Sequence, residues 1–368
     1  MAKETQQQHL FDLSDMFKWK EDWKGMPDFT QEDLQPTQQI IVSFKTRDDV
    51  KRFSELVGQK LTYESKSMWF PKNDRESPSE YVWTGERILP KYPIYIISKG
   101  RHDTRLTAKA LDKMNVPYKI CVEPTEYENY AAVINENKII KLPEDFSKLN
   151  QGGIPVRNFV WQHSIDSGAK RHWILDDNID GFIRLTNNMK IKVDNGATFR
   201  AIEDYCDRYE NVMMAGMDYR YFANQDAVKT PFTLNTRVYS CILLSNEISH
   251  RWRGRYNEDT DLSIRILKDG FCTILFKTFL CNKITTMQMK GGNTDTIYNT
   301  GDNRRQFAES LVEQHPDIAK VVWRYDRWHH EVDYTMFMKY NKPKLKEGIE
   351  ISDEINNYGM TLKSTNNV

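Results

Sequence analysis

The chain has 368 residues, 39% hydrophobic and 28% charged, with 52 Lys+Arg balancing 52 Asp+Glu. That is an ordinary globular composition, long enough for two domains or for one large domain with an appendage. Zero net charge excludes a uniformly basic nucleic-acid-binding coat but leaves room for a local basic patch. The five cysteines (Cys121, Cys206, Cys241, Cys272 and Cys281) never fall in C-x-x-C spacing, which argues for a reducing compartment and against zinc or disulfides. The polar start is no signal peptide, and no apolar run approaches the roughly 20 residues of a membrane helix, so a cytoplasmic location is expected.

Residues 1–36 read as a poorly ordered lead with an aromatic-acidic patch around Trp19, Trp23, Met26 and Phe29. Residues 37–72 read as a small β-α-β module, most simply a docking or folding appendage. Its strands are expected over 39–44 and 63–70. Its helix begins at Thr46, with Asp49 three residues on as a near capping box, and ends at Gly58. Residues 73–87, with Ser77-Pro78-Ser79, read as a linker.

The main domain is expected over 88–340. An apolar strand at 94–97 turns sharply through Ser98-Lys99-Gly100-Arg101. Asp103 or Thr104 is placed to cap a helix with Leu106, Ala110, Leu111 and Met114 on its apolar face. A second strand, 118–122, ends in Glu123. This is a β-α-β unit with a polar loop at its switch point. There Gly100 supplies backbone freedom, and Lys99 and Arg101 supply positive charge for a phosphate. Neither G-x-G-x-x-G nor G-x-x-x-x-G-K is present, which argues against a standard dinucleotide fold or P-loop. A strand over 139–142 and a Gly loop over 151–155 precede a helix carrying Arg157, Asn158, Phe159, Trp161 and His163.

The run His172-Trp173-Ile174-Leu175 then ends abruptly in Asp176-Asp177-Asn178. It reads as a buried strand with carboxylates at its C-terminal end, which is where open α/β sheets bind ligands. Such hard oxygen donors suit Mg²⁺ or Mn²⁺. The plainer alternative is a polar turn. A helix over 198–208 and strands over 212–216 and 239–244 follow. Next, Glu258, Asp259 and Asp261 crowd the start of a helix striped with Leu262, Ile266 and Leu267. Capping and the helix dipole explain one or two of these acids; an ionised carboxylate there is also a ready general base. A strand over 272–276, a polar Gly loop over 287–293 and a helix over 302–315 lead to residues 323–330. That stretch is dense in aromatic and basic groups, fit to stack on a base or sugar, or to place His329 or His330 on a metal. Residues 341–368 read as a polar tail.

The order of these pieces is similar to that of the GT-A glycosyltransferase fold. More narrowly, the chain resembles the TET-associated glycosyltransferases, a largely phage-encoded family assigned to glycosylation of hydroxymethylated DNA bases. The resemblance is carried by Ile97-Ser98-Lys99-Gly100-Arg101, Val122-Glu123-Pro124-Thr125-Glu126-Tyr127, Tyr130 and Ile154-Pro155-Val156-Arg157-Asn158. Trp173 to Ile179, Glu258 to Leu262 and Lys290-Gly291-Gly292-Asn293 complete it. It implies an α/β, GT-A-like (Rossmann-like) mixed sheet flanked by helices. It also implies an inverting, metal-dependent transfer from a nucleotide-diphosphate sugar, a UDP-sugar above all, to a hydroxymethyl-pyrimidine in DNA. The location would then be the host cytoplasm. Mn²⁺ or Mg²⁺ would sit on Asp176, Asp177 and Asn178. Asn178 stands where many such enzymes have a third Asp. Donor contacts would come from Ser98, Lys99, Gly100, Arg101, Glu123, Tyr127, Arg157, Asn158, Asp176 and Gly292. Asp259 would be the base, with Glu258 beside it. With the charge balanced, DNA contact is expected from a few groups: Arg251, Trp252, Arg253, Arg255, Trp323, Arg324, Arg327 and Trp328. Rival readings are a polysaccharide or protein acceptor, a nucleotidyltransferase, or a non-enzymatic binding module.

Overall fold

The strands are Tyr81–Thr84 (β1), Ile94–Ile97 (β2), Lys119–Val122 (β3), Ile139–Lys141 (β4), Arg171–Asp176 (β5), Ile179–Thr186 (β6) and Met189–Val193 (β7). They continue with Val212–Tyr219 (β8), Phe232–Leu234 (β9), Cys241–Ser245 (β10), Cys272–Lys283 (β11), Ala319–Arg324 (β12), Arg327–Val332 (β13) and Thr361–Ser364 (β14). The helices are Arg47–Leu56 (α1), Leu106–Lys113 (α2), Tyr127–Ala131 (α3), Ile154–Asp166 (α4), Ala197–Asp207 (α5), Glu258–Lys268 (α6), Arg304–Gln314 (α7) and Thr335–Tyr340 (α8). This is a computed structural model, and it describes residues 19–34, 36–62, 64–72, 78–284 and 303–365.

Among those residues one mixed twelve-stranded sheet runs β14-β1-β7-β6-β11-β8-β10-β5-β2-β3-β4, with β9 also on β11. β12 and β13 form a separate two-stranded sheet. Strands β5, β2, β3 and β4 are mutually parallel. Parallel strands are covered on both faces and so read as continuous apolar runs; β2 and β5 show that pattern. Along β5 the side chains alternate. Trp173 and Leu175 face one core, where Trp173 meets Phe199 of α5 at 5.0 Å. Ile174 faces the other core, with Trp161 of α4 and Leu262 and Ile266 of α6. Helices on both faces of a mixed sheet are the α/β class expected from the sequence.

Several expectations are corrected. The aromatic lead is core: Trp23, Met26 and Phe29 are 6%, 1% and 8% exposed, and Trp23 packs against Tyr205, Phe232 and Phe276. In the small module, α1 carries the full capping box between Thr46 and Asp49. Residues 39–44 and 64–70, however, form no strand, and Ile40 and Ile41 are 75% and 97% exposed. An apolar run makes a strand only where a partner edge supplies backbone hydrogen bonds and a face to pack against. The expected linker contains β1 and the expected tail contains β14; the two pair antiparallel and extend the main sheet. Helix α2 starts after Arg105, at φ 30, with no side-chain cap from Asp103 or Thr104. All five cysteines are buried and free. Among the described residues, no helix is long and apolar enough to cross a membrane.

Candidate active site

The parallel register brings three strand ends together, because Ile97 lies opposite both Asp176 and Cys121. The loop after β2 is thereby set against the turn after β5. Ser98 Oγ donates to Asp177 Oδ2 at 2.8 Å, and Arg101 Nη1 pairs with Asp177 Oδ1. Tyr130 Oη lies 2.6 Å from Ser98 Oγ and accepts the Arg101 N–H at 3.1 Å. The Gly100 N–H donates to Glu126 Oε2 at 2.7 Å, and Gly100 sits at φ 64, where a side chain would be strained. Thr107 of α2 holds the turn itself. Its hydroxyl donates to the Asp176 carbonyl at 2.6 Å and accepts the Ile179 N–H at 2.9 Å.

Asp176 points the other way, towards two cations. Lys283, at the end of β11, donates from Nζ to Asp176 Oδ2 at 2.6 Å, to Ser240 Oγ at 2.6 Å and to Tyr219 Oη at 3.2 Å. Arg157 of α4 lies 3.4 Å from Asp176 Oδ1, 3.6 Å from Glu258 Oε1 and 3.4 Å from Asp259 Oδ1. Its guanidinium rests 4.7 Å from the centre of the Trp252 ring. Asn158 clamps the Trp252 backbone, giving Nδ2–H to the carbonyl and taking the N–H on Oδ1, both at 2.9 Å. Helix α6 follows Asn257, whose φ of 55 is left-handed and whose side chain caps nothing. Glu258 and Asp259 are therefore turned to Arg157 rather than spent as caps. Asp261 is fully buried, and Arg253, Arg265 and His315 bond to it. It is an internal brace.

Three carboxylates (Asp176, Glu258 and Asp259) thus face two cations. Burial pushes the Asp259 pKa up; Arg157 opposes the rise, and Glu258 and Asp176 add to it. Burial also works to raise Asp176, but Lys283 and Arg157 outweigh it and hold the carboxyl at about 2. Asp177 is raised, chiefly by burial, against Arg101 and Ser98.

These facts test the expected metal triplet. Both Asp177 oxygens already have partners, Ser98 and Arg101, and the residue is 5% exposed, so here it braces the loop over 98–101. Asp176 is ionised with a quarter of its side chain exposed, and Asn178 Oδ1 is buried with no hydrogen-bond partner among the described residues. Asp176 and Asn178 offer hard oxygens, the right donor type for Mg²⁺ or Mn²⁺. Among the described residues no three His, Cys, Asp or Glu groups gather to hold a metal by themselves. An ion there would lean on water and substrate oxygens, as Mg²⁺ characteristically does. Glu123, expected on the donor, accepts the Ser147 N–H at 2.6 Å and the Ser147 hydroxyl at 2.7 Å, with Lys99 at 3.7 Å. It holds the turn over 146–149 that follows β4. Tyr127 lies under Lys141 at 4.8 Å.

A profile of the TET-Associated Glycosyltransferase family matches residues 92–292, more than half of the chain. The chain belongs to that family. No curated protein matches. Among solved structures, it is similar to glucosyl-3-phosphoglycerate synthase from Mycobacterium tuberculosis, solved with Mn²⁺, uridine-diphosphate and phosphoglyceric acid. Identity is 8% and the TM-score 0.35, over 67% of this chain and 87% of that one; so loose a likeness carries no argument about the site.

In this TET-associated glycosyltransferase the matched span contains every site residue described above except His315. The expected acceptor groups divide. Trp252 is 2% exposed, between Arg157 and Trp161, so its ring is closed to a nucleic-acid base. Arg253 pairs with Asp261, Arg251 bonds the Ile248 and His250 carbonyls, and Arg255 lies against Tyr256. Arg324, Arg327, Trp323 and Trp328 share the β12–β13 hairpin. His329 and His330 lie on the same hairpin. His329 accepts from Arg327, and burial, then Arg237, push His330 down to about 4. Gly292 lies outside the described residues. Sequence reasoning missed Lys283, Ser240 and Tyr219. The available signal was a lysine closing a long apolar strand.

Proposed function

We propose that this glycosyltransferase moves a sugar from a nucleotide-diphosphate sugar, a UDP-sugar, to the hydroxyl of a hydroxymethyl-pyrimidine in DNA, with inversion at the anomeric carbon. The observation that carries the reading is the convergence of Asp176, Glu258, Asp259, Arg157 and Lys283 at the carboxyl ends of parallel strands. This cluster is one negative charge in excess before a diphosphate arrives, so the donor needs further positive charge. Mg²⁺ or Mn²⁺, held by Asp176 and Asn178, would supply it and stabilise the leaving diphosphate as a Lewis acid. Arg157 sets the direction of Asp176, Glu258 and Asp259 together. Lys283 holds Asp176 ionised. Asp259, made more basic by burial, takes the proton from the acceptor hydroxyl. A single base without a covalent nucleophile gives in-line displacement and hence inversion.

The test is a screen of nucleotide sugars for donor hydrolysis without acceptor, with and without Mn²⁺, followed by transfer to hydroxymethylated DNA. One donor should be cleaved only with the ion and should label the DNA. Activity unchanged by chelation would remove the metal from the reading. Transfer to an oligosaccharide or protein, with none to DNA, would replace the acceptor.

A further inference from the structure

The β12–β13 hairpin lies outside the main sheet, and its turn contains a costly residue. Register is unbroken from Ala319 opposite Val332 to Arg324 opposite Arg327, so Tyr325 and Asp326 alone make the turn. Both are left-handed, at φ 53 and 54, as a two-residue turn of this kind requires. Asn-Gly adopts that shape easily, whereas a bulky tyrosine is strained in it. Strained residues of this sort persist where a position has a task. Tyr325 is also 87% exposed, and Trp323 behind it is 54% exposed, meeting Trp328 edge-on at 5.1 Å.

Charge and mounting indicate what covers this tip. Arg324, more than half of whose side chain is exposed although it also pairs with Glu331, and Arg327 close the turn on either side of Tyr325 and Asp326, and Arg305 lies over Trp328 at 5.1 Å. Aromatic faces interleaved with arginine suit stacked bases and phosphates. The hairpin packs on α7, and α7 is fastened to the residues just before the candidate base. Asn257 Nδ2 donates to the Phe307 carbonyl at 2.7 Å, and Tyr256 stacks on Phe307 at 3.9 Å. The tip is thus tied through two contacts to Glu258 and Asp259. A base inside a duplex cannot enter a cleft, so an enzyme acting on it must extrude it and stabilise the gap.

We infer that the hairpin tip enters a DNA duplex at the target pair. Tyr325 stacks in the space left by the extruded base, and Arg324 and Arg327 grip the flanking phosphates. This rests on the DNA-acceptor reading above. The experiment compares wild type, Tyr325→Ala and Tyr325→Phe on hydroxymethylated DNA as duplex and as single strand, with acceptor-free donor hydrolysis alongside. Tyr325→Ala should lose about tenfold or more on duplex, the scale of one lost base–aromatic stack, and should retain single-strand transfer and donor hydrolysis. Tyr325→Phe should retain duplex activity, because the ring is what stacks. A 2-aminopurine next to the target should brighten on binding wild type and stay dim with Tyr325→Ala. Equal duplex rates for wild type and Tyr325→Ala, or equal losses on duplex and single strand, would overturn the wedge and leave the acceptor assignment standing. Wild-type transfer to RNA, protein or polysaccharide, and to no form of DNA, would overturn both.

Discussion

Arg157→Met removes the cation that touches Asp176, Glu258 and Asp259 while keeping an unbranched stem over Trp252. The contacts are 3.4, 3.6 and 3.4 Å, and the arginine side chain is 7% exposed. At an effective dielectric near 20, a unit pair at that spacing attracts by about 5 kcal/mol, much of it offset by desolvation. Removing one partner of a buried pair costs about 3–5 kcal/mol, because the remaining charge has no counter-ion. Lys283 still serves Asp176, so the loss falls on Glu258 and Asp259. We expect about 3–5 kcal/mol at pH 8, a large part of a typical total of about 5–15 kcal/mol. The loss should depend on pH. Asp259 has a folded pKa above its unfolded value of about 3.9, and Arg157 opposes that rise, so the variant's folded pKa lies higher still. A raised folded pKa contributes stability that is present below the unfolded value and lost as pH rises through the folded one. The deficit should therefore widen with rising pH between the two folded values and narrow on acidification. Urea unfolding of both proteins from pH 5 to pH 8 checks this. A deficit below about 1 kcal/mol, or one that grows as pH falls, would refute the assignment of these contacts as a buried charge cluster.

Asp259→Asn should keep fold and donor affinity while turnover falls by about 10²–10⁴, and near-normal turnover would move the base to Glu258. In the wild type, the acid limb of kcat/KM should lie above the ordinary carboxylate range, since Asp259 is raised by burial; a limb near pH 4 would reject Asp259 as the base. Asp177→Asn should loosen the loop over 98–101, raising the donor KM more than it lowers kcat. The opposite split would return Asp177 to the metal. Trp252→Ala should cost about 3–5 kcal/mol of stability as a core truncation. DNA affinity corrected for folded fraction should stay unchanged; a specific loss of DNA binding in the folded variant would show that the ring reaches the acceptor.

The parallel half of the sheet was legible because buried strands carry their own signal: β2, β3 and β5 are short apolar runs, two of them ending in acids. The antiparallel half was harder to read. β11 was expected to stop at Phe276, where Lys277 breaks the apolar run. In the structure the register against β8 shifts between Phe276 and Leu280, and the strand changes its other partner from β9 to β6. Such a bulge leaves no local pattern. Trp23 was misjudged for a related reason. Its partners Tyr205, Phe232 and Phe276 lie far along the chain, so nothing near it in sequence marks it as core. The converse error came at Ile40 and Ile41, where apolarity suggested a strand but, among the described residues, none pairs with them.

The acids show why the site was only half legible. Asp176 and Asp177 are neighbours in sequence, but successive residues at a strand end face opposite sides. Asp177 turns to Ser98 and Arg101, Asp176 to Lys283 and Arg157. Asp259 and Asp261 are two residues apart on a helix, about 200° around its axis. Asp261 turns inward to Arg253, Arg265 and His315, Asp259 outward to Arg157. Each acidic pair therefore supplies one brace and one carboxylate that faces Arg157, a division that follows from the period of the element. These two carboxylates then meet at a single arginine, yet their basicities diverge. Asp176 has Lys283 as well and is held at about 2, fit to stay anionic beside a cation. Asp259 has Glu258 beside it instead and is raised, fit to accept a proton. One arginine contact is shared; the second neighbour of each carboxylate, lysine or glutamate, separates the two roles.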